Sequence, residues 1–407
     1  MKKNSRREFV RNAAIGSAVV TFGTNAPWAL QHAAAATTDQ ERILVVVEMA
    51  GGNDGLNSVV MHSDPAYKKA RPEIAIAKDD TLSITKEIGF HPGMQGFADL
   101  LEQSKLAIVQ GVGYENPNRS HFESMDIWHS CQRKDEARSD GWVGRFLETK
   151  GLGATADPSA LHLGNDKQPL ALRSMDIRVP SIQDLKQFRL NVGDRESLRE
   201  AISELSGSQR KLQNDLLGFV QSSSVNAIET SERMESAGVK YKPAHEYPKN
   251  GLGKKLETVA KLIVAGLATK IYYVRIDGFD THARQPDAHA SLLREVASSV
   301  NALVSDLSAK GFGDRLLVMC FSEFGRRVAE NASAGTDHGT AGPVFLAGNH
   351  VNAGLIGEHP SLQDLEQGDI KHHTDFRQVY AAVLEKWMAC PSEPILGKRY
   401  IPVNAIG

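Results

Sequence analysis

The sequence predicts a three-layer α/β/α sandwich built around a mostly parallel central sheet. Short runs of apolar, often β-branched residues recur without alternation, as is typical of strands covered on both faces. Apolar residues at helical spacing lie between these runs. Loops rich in glycine, acids and histidines follow the runs, and this favours a ligand site beyond the carboxyl ends of the strands.

The predicted strands are the apolar runs themselves. In chain order they are Arg42–Met49, Leu106–Val109, Ile271–Ile276, Leu316–Phe321 and Val344–Leu346. The clearest helical spacing runs from Leu293 to Leu307 and from Phe376 to Trp387. Strands that alternate with helices in this way indicate a doubly wound sheet.

A polar stretch near residues 185–245 differs from the rest of the chain. Apolar residues from Leu198 to Phe219 recur there at helical spacing, and the stretch contains no buried-strand run. We therefore predict one domain over residues 37–407, with a helical insertion or cap near 185–245.

Composition places the chain among ordinary globular proteins. It has 407 residues, of which 41% are hydrophobic and 24% are charged, so disordered and membrane classes are disfavoured. Its three cysteines do not form the framework of a disulfide-rich protein.

The first 36 residues have the pattern of a twin-arginine export signal. Ser5–Val10 gives S-R-R-x-F followed by a hydrophobic residue, and a mildly apolar segment follows from Ala13 to Leu30. Ala34–Ala36 offers a small-residue cleavage site, so the mature chain is predicted to begin near Thr37. Glycines and a proline interrupt the apolar segment, which argues against a stable membrane span. We expect the twin-arginine export machinery as a partner and a periplasmic or otherwise exported protein.

Charge argues against nucleic acid as a partner. The whole chain has a formal net charge of −2, and the signal contributes five basic residues and one acidic residue. The mature chain is therefore close to −6, and a mildly acidic protein is a poor nucleic-acid binder.

The loop from Phe321 to Gly339 carries the densest group of chemical side chains in the sequence. They are Ser322, Glu323, Arg326, Arg327, Asp337 and His338. An acid next to a histidine supplies two metal ligands from adjacent positions, so Asp337 and His338 predict a metal site.

The loop after the first strand contains Asp54 within G-G-N-D-G-L-N. Its glycines allow a tight turn that presents the carboxylate, and a metal ligand is one interpretation. An Asx-turn formed by Asn53 or Asp54 is the other, and such turns are common.

Two interpretations compete for the hydroxyl of Ser120. It precedes a predicted helix and has Glu123 three residues later, which is the pattern of a capping box. It also lies at the positive end of that helix between Arg119 and His121, where it could act as a nucleophile.

The loop after Ile276 contains Asp277, Asp280 and His282. Asp280 and His282 are close enough to share a cation, with Asp277 as a ligand or as support for one. Alternatively Asp280 caps the following segment and His282 orders the loop. The sequence contains no phosphate-binding G-x-x-x-x-G-K-[ST], no dinucleotide fingerprint and no G-x-S-x-G.

The order of the motifs resembles bacterial proteins that contain the domain of unknown function 1501. The motifs are the twin-arginine start, G-G-N-D-G-L-N, N-P-N-R-S-H-F-E-S, D-G-F-D-T-H-A, S-E-F-G-R-R and G-T-D-H-G. The family is similar in turn to the alkaline phosphatase and sulfatase superfamily. That resemblance implies an alkaline phosphatase-like fold and a metal site at the edge of its sheet.

The resemblance also implies roles for particular residues. Asp54 would be a metal carboxylate, Ser120 the nucleophile, and Asp280 with His282 a second group of ligands. Two placements of the later ligands stay open. Thr336–Gly339 matches the superfamily by sequence, whereas Ser322–Phe324 matches it by position after the strand.

These observations lead to the hypothesis of an exported, metal-dependent hydrolase of phosphate or sulfate esters. A divalent ion, whether zinc, calcium, magnesium or manganese, would be held by ligands from three loops: Asp54, Asp280, His282, Asp337 and His338. Ser120 would attack the ester and Arg326 or Arg119 would hold its oxygens, while Glu323 would act as a ligand or general base.

Two alternatives remain at this stage. One is a non-catalytic exported protein that uses the same fold to bind a glycan, an anion or a protein. The other is a carboxylester hydrolase that uses Ser120, His121 and an aspartate, although the nucleophile-elbow motif is missing.

Overall fold

The central element of the fold is a nine-stranded sheet. The computed structural model describes residues 42–136, 138–153, 157–183 and 241–407. The strands, in chain order, are β1 (Ile43–Met49), β2 (Val59–Val60), β3 (Leu82–Ser83), β4 (Gly89–Phe90), β5 (Leu106–Gly113), β6 (Ala160–Leu163), β7 (Ser181–Ile182), β8 (Ile271–Ile276), β9 (Leu316–Phe321), β10 (Gly342–Ala347), β11 (Gly354–Ile356), β12 (Leu365–Glu366), β13 (Asp369–Ile370) and β14 (Thr374–Asp375).

The helices connect these strands and cover the sheet. They are α1 (Gly55–Ser58), α2 (Pro65–Ala70), α3 (Gln95–Glu102), α4 (His121–Ser130), α5 (Trp142–Thr149), α6 (Gly251–Val264), α7 (Gln285–Ala309), α8 (Phe376–Ala382) and α9 (Glu393–Leu396). Short 3-10 turns occupy Lys78–Asp80, Pro92–Met94, Leu170–Leu172 and Gly313–Arg315, and a π-helical turn at Val383–Trp387 continues α8.

The sheet is mostly parallel, as the sequence predicts. Its strands are ordered β11-β5-β10-β9-β1-β8-β6-β7, and β14 also pairs with β5. Strand β1 runs parallel to β8 and β9, and β6 runs parallel to β7 and β8. Only β10 is antiparallel to both of its neighbours, β5 and β9, in this sheet.

The two faces of the sheet form two apolar cores. Along β1, Val45 and Val47 belong to one core and Leu44 and Val46 to the other, because successive side chains point to opposite faces. Helices α3, α6 and α7 cover the first face, and α4, α5, α8 and α9 cover the second. The three-layer α/β/α sandwich is therefore confirmed.

The direction of β10 determines where the long loop before it lies. Strand β9 ends at the carboxyl edge of the parallel strands, and the antiparallel β10 begins at that same edge. The connection between Phe321 and Gly342 therefore stays at the edge where β1, β5 and β8 also end. This topology is what allows residues far apart in the sequence to meet.

Two predicted segments lie outside the described residues. These are the twin-arginine signal and nearly all of the helical cap near 185–245. The described residues belong to one compact unit that begins at Arg42. Within that unit, the described helices lack the combined length and apolarity that crossing a bilayer requires.

Candidate metal centre at the carboxyl edge of the sheet

Four side chains from three loops meet at the carboxyl edge, and we call them the triple-histidine cluster. They are His121 at the start of α4, Asp280 and His282 after β8, and His338 before β10. His121, Asp280 and His338 each place one ligand atom within 4.8 Å of the others, which is a group able to hold a metal ion. His282 adds a further nitrogen, 2.8 Å from the Nε2 atom of His338.

The carboxylate of Asp280 lies at the centre of the cluster. Its Oδ1 atom is 3.3 Å from Nε2 of His121, 3.0 Å from Nε2 of His282 and 3.3 Å from Nε2 of His338. Tetrahedral zinc bonds of about 2.0–2.1 Å would place ligand atoms about 3.3 Å apart. The distances from Asp280 to His121 and to His338 therefore match those between two ligands of one zinc ion.

The outer nitrogen of each histidine faces an acceptor. Nδ1 of His121 lies 2.8 Å from Oε1 of Glu323, and Nδ1 of His282 lies 3.2 Å from Oδ1 of Asp337. Nδ1 of His338 lies 2.7 Å from the carbonyl oxygen of Arg119. Carboxylate and carbonyl oxygens only accept, so each Nδ1 carries a proton.

The inner nitrogens are consequently the ones without protons when the rings are neutral. The Nε2 atoms of His121, His282 and His338 then present lone pairs to one another and to Asp280. Nε2 of His121 is buried and has no hydrogen-bond partner. A cation is the group that satisfies four converging acceptors of this kind, and metal-binding histidines typically have their other nitrogen held in this way.

Electrostatics divide the histidines into two kinds. The hydrogen bond to Glu323 raises the pKa of His121 above its usual value, because the carboxylate stabilises the imidazolium. Burial lowers the pKa of His338, because it disfavours the charged ring. Burial opposes ionisation of Asp280, but Arg326 and the nearby histidines outweigh it and lower the pKa of Asp280 to about 2. Asp280 is therefore a carboxylate at any ordinary pH.

The loop between β9 and β10 folds back on itself to deliver His338. Gly325 donates its N–H to the carbonyl of Thr340, and Arg326 forms an antiparallel bridge with His338. Gly335 lies against the loop after β8. A Cβ added to Gly335 would be only 2.3 Å from the backbone of His282. A side chain at that position would push the His282 loop away from the cluster.

The loop after β1 is also packed tightly against the cluster. Gly51 has a φ of +116°, and a Cβ there would lie 2.5 Å from the backbone nitrogen of Asp280. The N–H of Gly51 donates to Oε1 of Glu323 at 2.9 Å. Gly51 therefore joins the loop after β1 to the loop after β8, which carries Asp280, and to Glu323, which contacts His121.

Asp54 has different surroundings from those that its sequence motif suggests. It is fully buried, and Arg71 donates to both carboxylate oxygens, at 2.6 and 2.9 Å. Gln285 donates to Oδ2 as well. Protein donors occupy both oxygens, so this arrangement does not favour Asp54 as a metal ligand, and that role stays a prediction.

Arg326, predicted to hold substrate oxygens, lies deep in the protein. It is 1% exposed, and its donors are taken by the carbonyls of Gly51, Gly52, Phe279 and Thr336 and by Oδ1 of Asp280. No donor is left for the oxygens of a substrate. Arg326 instead fixes Asp280 and joins the backbone of three loops.

Glu323 and Asp337 contact rings of the cluster and are not among its four members. Glu323 is 1% exposed and accepts from the hydroxyl of Ser322 as well as contacting His121. Asp337 lies beside His282, and the hydrogen bond from Asn331 lowers the pKa of its carboxyl group. Both acids orient imidazole rings that face the centre of the cluster.

Ser120 precedes α4 but does not cap it through its side chain. It occupies the N-cap position with no side-chain hydrogen bond to the helix. Glu123, the other member of the predicted capping box, pairs with Arg138 at 2.6 Å. The capping-box interpretation is therefore wrong, and the exposed hydroxyl of Ser120 stays available beside His121.

His121 is the member of the cluster that the sequence analysis undervalued. From its sequence context, it is expected only to be a neighbour of Ser120 or the base of a carboxylester hydrolase. Its ring nitrogens face Glu323 and Asp280 and not Ser120, which argues against that alternative. The signal that could have identified it is a histidine directly after a strand-end loop, the same signal that identified His282 and His338.

A cavity of about 890 Å³ opens beside the cluster. His121, Asp280 and Glu323 form part of its wall, together with other residues of α4 and of the segment 167–173. The candidate metal centre is therefore accessible to a ligand of moderate size.

Several solved structures are similar to this chain at low identity. One is the C-terminal periplasmic domain of EcEptC from Escherichia coli in complex with zinc, with 9% identity, a TM-score of 0.37, and 76% of this chain and 73% of that chain covered. Another is the PsFucS1 sulfatase from Pseudoalteromonas sp., with 10% identity, a TM-score of 0.35, and coverage of 89% and 69%. A third is the phosphonate monoester hydrolase of Agrobacterium radiobacter, with 8% identity, a TM-score of 0.34, and coverage of 75% and 68%.

The curated proteins contain no match to this sequence. A family model, in contrast, matches residues 41–388, which is most of the chain and includes every member of the triple-histidine cluster. The chain therefore belongs to the family described as protein of unknown function (DUF1501).

Proposed function

We propose that the protein is a metal-dependent hydrolase of phosphate or sulfate esters. The observation that carries the proposal is the inward orientation of three Nε2 atoms around Oδ1 of Asp280, each ring being held by an acceptor at Nδ1. Rings arranged in this way are ready to bind a cation without rearrangement.

The donor set favours one group of metals. Imidazole nitrogens with one carboxylate suit zinc and related transition metals, whereas calcium and magnesium prefer oxygen ligands. Among the ions considered, we propose zinc first, held by His121, Asp280, His282 and His338. When bound, such an ion polarises an ester and stabilises the charge that develops on its oxygens.

The residues of the chain would divide the remaining work. Ser120 is proposed as the nucleophile, because its hydroxyl is exposed, uncommitted to the helix and adjacent to a ligand. Arg119 is proposed to hold an ester oxygen, since its side chain is 34% exposed and reaches Asp369 on only one side. Glu323 and Asp337 would keep His121 and His282 in the binding orientation.

Export is part of the proposal. The twin-arginine pattern at Ser5–Val10 supports a folded protein delivered to the periplasm or beyond, with residues 37–407 as the mature enzyme. The helical cap near 185–245 would then be part of that mature chain.

The test begins with the metal. We expect purified mature protein to bind about one equivalent of zinc per chain and to turn over an aryl phosphate or an aryl sulfate. His338→Ala should abolish both properties. His350→Ala is the matched control, because His350 is an exposed histidine that pairs with Asp314 outside the cluster.

Absence of bound metal together with absence of turnover in both ester series would refute the proposal. Equal losses in the His338 and His350 variants would also refute it, because the effect would then not be specific to the cluster.

A second candidate is a non-catalytic binding protein on the same fold. It is favoured by the buried guanidinium groups of Arg71 and Arg326, which already neutralise Asp54 and Asp280. Stoichiometric metal without ester turnover, and with unchanged ligand binding in Ser120→Ala, would select this candidate over the enzyme.

A further inference from the structure

The cavity beside the triple-histidine cluster has more space than one reacting group needs. Its volume of about 890 Å³ lies in the range of pockets that enclose whole small molecules, roughly 300–1,000 Å³. A single phosphate or sulfate group at the cluster would leave most of this space for the rest of the ligand.

One face of α4 forms a wall of this cavity. His121, Met125 and His129 lie on it at successive turns, so the wall extends about 12 Å away from the cluster. Phe122, also on the wall, is 86% exposed. An exposed aromatic ring next to a polar site provides an apolar surface for the uncharged part of a ligand.

Two of the cations that line the cavity are already paired. Arg138 pairs with Glu123 at 2.6 Å, and Arg275 pairs with Asp277 at 2.7 Å and with Glu48. Their charge is therefore compensated within the protein.

The other two lining cations, Lys167 and Arg173, are not compensated in this way. Both are exposed, and across the described ranges neither has a carboxylate within ion-pair distance. They flank the 3-10 turn at Leu170–Leu172, which packs against α4, and the carbonyl of Arg173 accepts from the N–H of Gly141 at 2.9 Å. The backbone of Arg173 is therefore held in place, and both residues line the cavity.

We propose that this cavity binds a ligand with two anionic groups, one at the triple-histidine cluster and one at Lys167 and Arg173. The first half of the proposal rests on the proposed function, and the second half depends only on the uncompensated cations. The substrate would be an ester with a second anion that does not react, joined to the first by an apolar or ring-shaped part lying along Phe122.

The experiment compares two probes that differ only in the second anion. Hexylphosphonate carries one anionic group and 1,6-hexanediphosphonate carries two, and neither contains an ester bond to hydrolyse. Calorimetric titration of the zinc-loaded mature protein should give a dissociation constant at least about tenfold lower for the diphosphonate.

Variants then locate the second anion. Lys167→Gln combined with Arg173→Gln should remove the tenfold advantage and leave the binding of hexylphosphonate unchanged. Lys68→Gln combined with Lys69→Gln is the matched control, because it removes two exposed positive charges that do not line the cavity. The control should retain the full advantage.

The outcomes separate the two halves of the proposal. Equal affinity for both probes in the unchanged protein, or an advantage that survives the Lys167 and Arg173 double variant, would overturn the second anion site. Inorganic phosphate added to the Lys167 and Arg173 double variant tests the cluster alone. If phosphate does not bind while the diphosphonate binds through Lys167 and Arg173, then the proposed metal centre fails and the second site stands.

Discussion

Asp54 and Asp280 follow the neighbouring strands β1 and β8, yet their surroundings differ completely. Asp54 and its partner Arg71 both have side chains that are 0% exposed, and we call them the sealed pair. Asp280 is 50% exposed, and its arginine partner leaves it free to contact three histidines. Two aspartates at the same edge of the sheet therefore differ: Asp54 is closed off by a buried ion pair, whereas Asp280 is accessible and lies among histidines.

The difference lies in how each carboxylate is satisfied. The sealed pair uses two guanidinium bonds and an amide bond, so nothing remains for a ligand. In the triple-histidine cluster, acceptors outnumber donors, and Nε2 of His121 has no hydrogen-bond partner at all. A surplus of acceptors at an accessible edge is a better indicator of a cation site than a strand-end aspartate alone.

The largest expected effect is a loss of stability when the sealed pair is broken. Arg71→Met would leave the Asp54 carboxylate buried without its counterion, and the free energy of unfolding should fall by about 3–5 kcal/mol. Urea denaturation measures this loss. Zinc affinity of the folded variant should be unchanged, because Arg71 does not contact the cluster.

The matched control for Arg71 is Lys371→Met. Lys371 pairs with Asp364, and both side chains are well exposed, so this variant should lose no more than about 1 kcal/mol. A loss below 1 kcal/mol in the Arg71 variant would show that burial of the pair is not what distinguishes the two aspartates.

The next largest effect is a loss of zinc affinity at the triple-histidine cluster. Asp337→Asn weakens the acceptor for Nδ1 of His282, and zinc affinity should fall about 10–100-fold, as is usual for groups that orient metal ligands. Competition with a chromogenic chelator measures it. Stability should change by less than about 1 kcal/mol, because Asp337 is largely exposed.

Asp364→Asn is the control for this prediction, since Asp364 is 73% exposed and pairs with Lys371, which is not a member of the cluster. Unchanged zinc affinity in the Asp337 variant would mean that His282 is not a ligand.

A smaller effect is expected in how the stability of the protein depends on pH, because Asp54 is ionised in the sealed pair. Burial alone would raise the pKa of Asp54, but the charge and hydrogen bonds of Arg71 outweigh it and hold that pKa below its usual value. A lowered folded-state pKa stabilises the protein above the ordinary aspartate pKa of about 3.9, and this contribution is lost as the pH falls through the folded-state value.

Asp54→Asn has no carboxyl group to protonate at this position. The stability gap between the unchanged protein and this variant should therefore be largest near pH 6 and should narrow as the pH falls below about 3.9. Denaturant titrations across this range measure the gap, and a gap that is independent of pH would contradict the assignment of the pKa shift to the sealed pair.

Much of the fold could be predicted because buried strands have a distinctive sequence. The runs ending at Met49, Ile276 and Phe321 became β1, β8 and β9, with boundaries close to those expected. The strand at Val344–Leu346 was also predicted, but its antiparallel direction was not. An apolar run has the same composition in either direction, so only the surrounding connections determine which way it lies.

The membership of the site was harder to predict. Strand β5, which leads to His121, and β8, which leads to Asp280, are separated by β10, β9 and β1. At about 4.8 Å between neighbouring strands, the two ends are about 19 Å apart. Only the paths of the loops bring His121 to Asp280, and loop paths depend on contacts such as that of Gly51 with Asp280 that no local pattern encodes.

The smallest effect on stability is expected for Ser120→Ala. An N-cap side chain that bonds to the helix contributes about 1 kcal/mol, but the hydroxyl of Ser120 makes no such bond. The free energy of unfolding should therefore change by less than about 0.5 kcal/mol, whereas ester turnover should be lost if Ser120 is the nucleophile. Asp375→Ala is the informative control, because Asp375 does cap α8 in a full capping box and should cost about 1 kcal/mol.

The stability and the turnover of Ser120→Ala together assign its hydroxyl to one of the two regions. If removal of the hydroxyl leaves the free energy of unfolding unchanged but abolishes turnover, Ser120 belongs with the triple-histidine cluster. A loss of 1 kcal/mol or more in Ser120→Ala would instead place its hydroxyl with the structural groups, alongside the sealed pair. Ser120 would then not be the nucleophile, and a water molecule would be the simpler candidate for the attacking group at this edge.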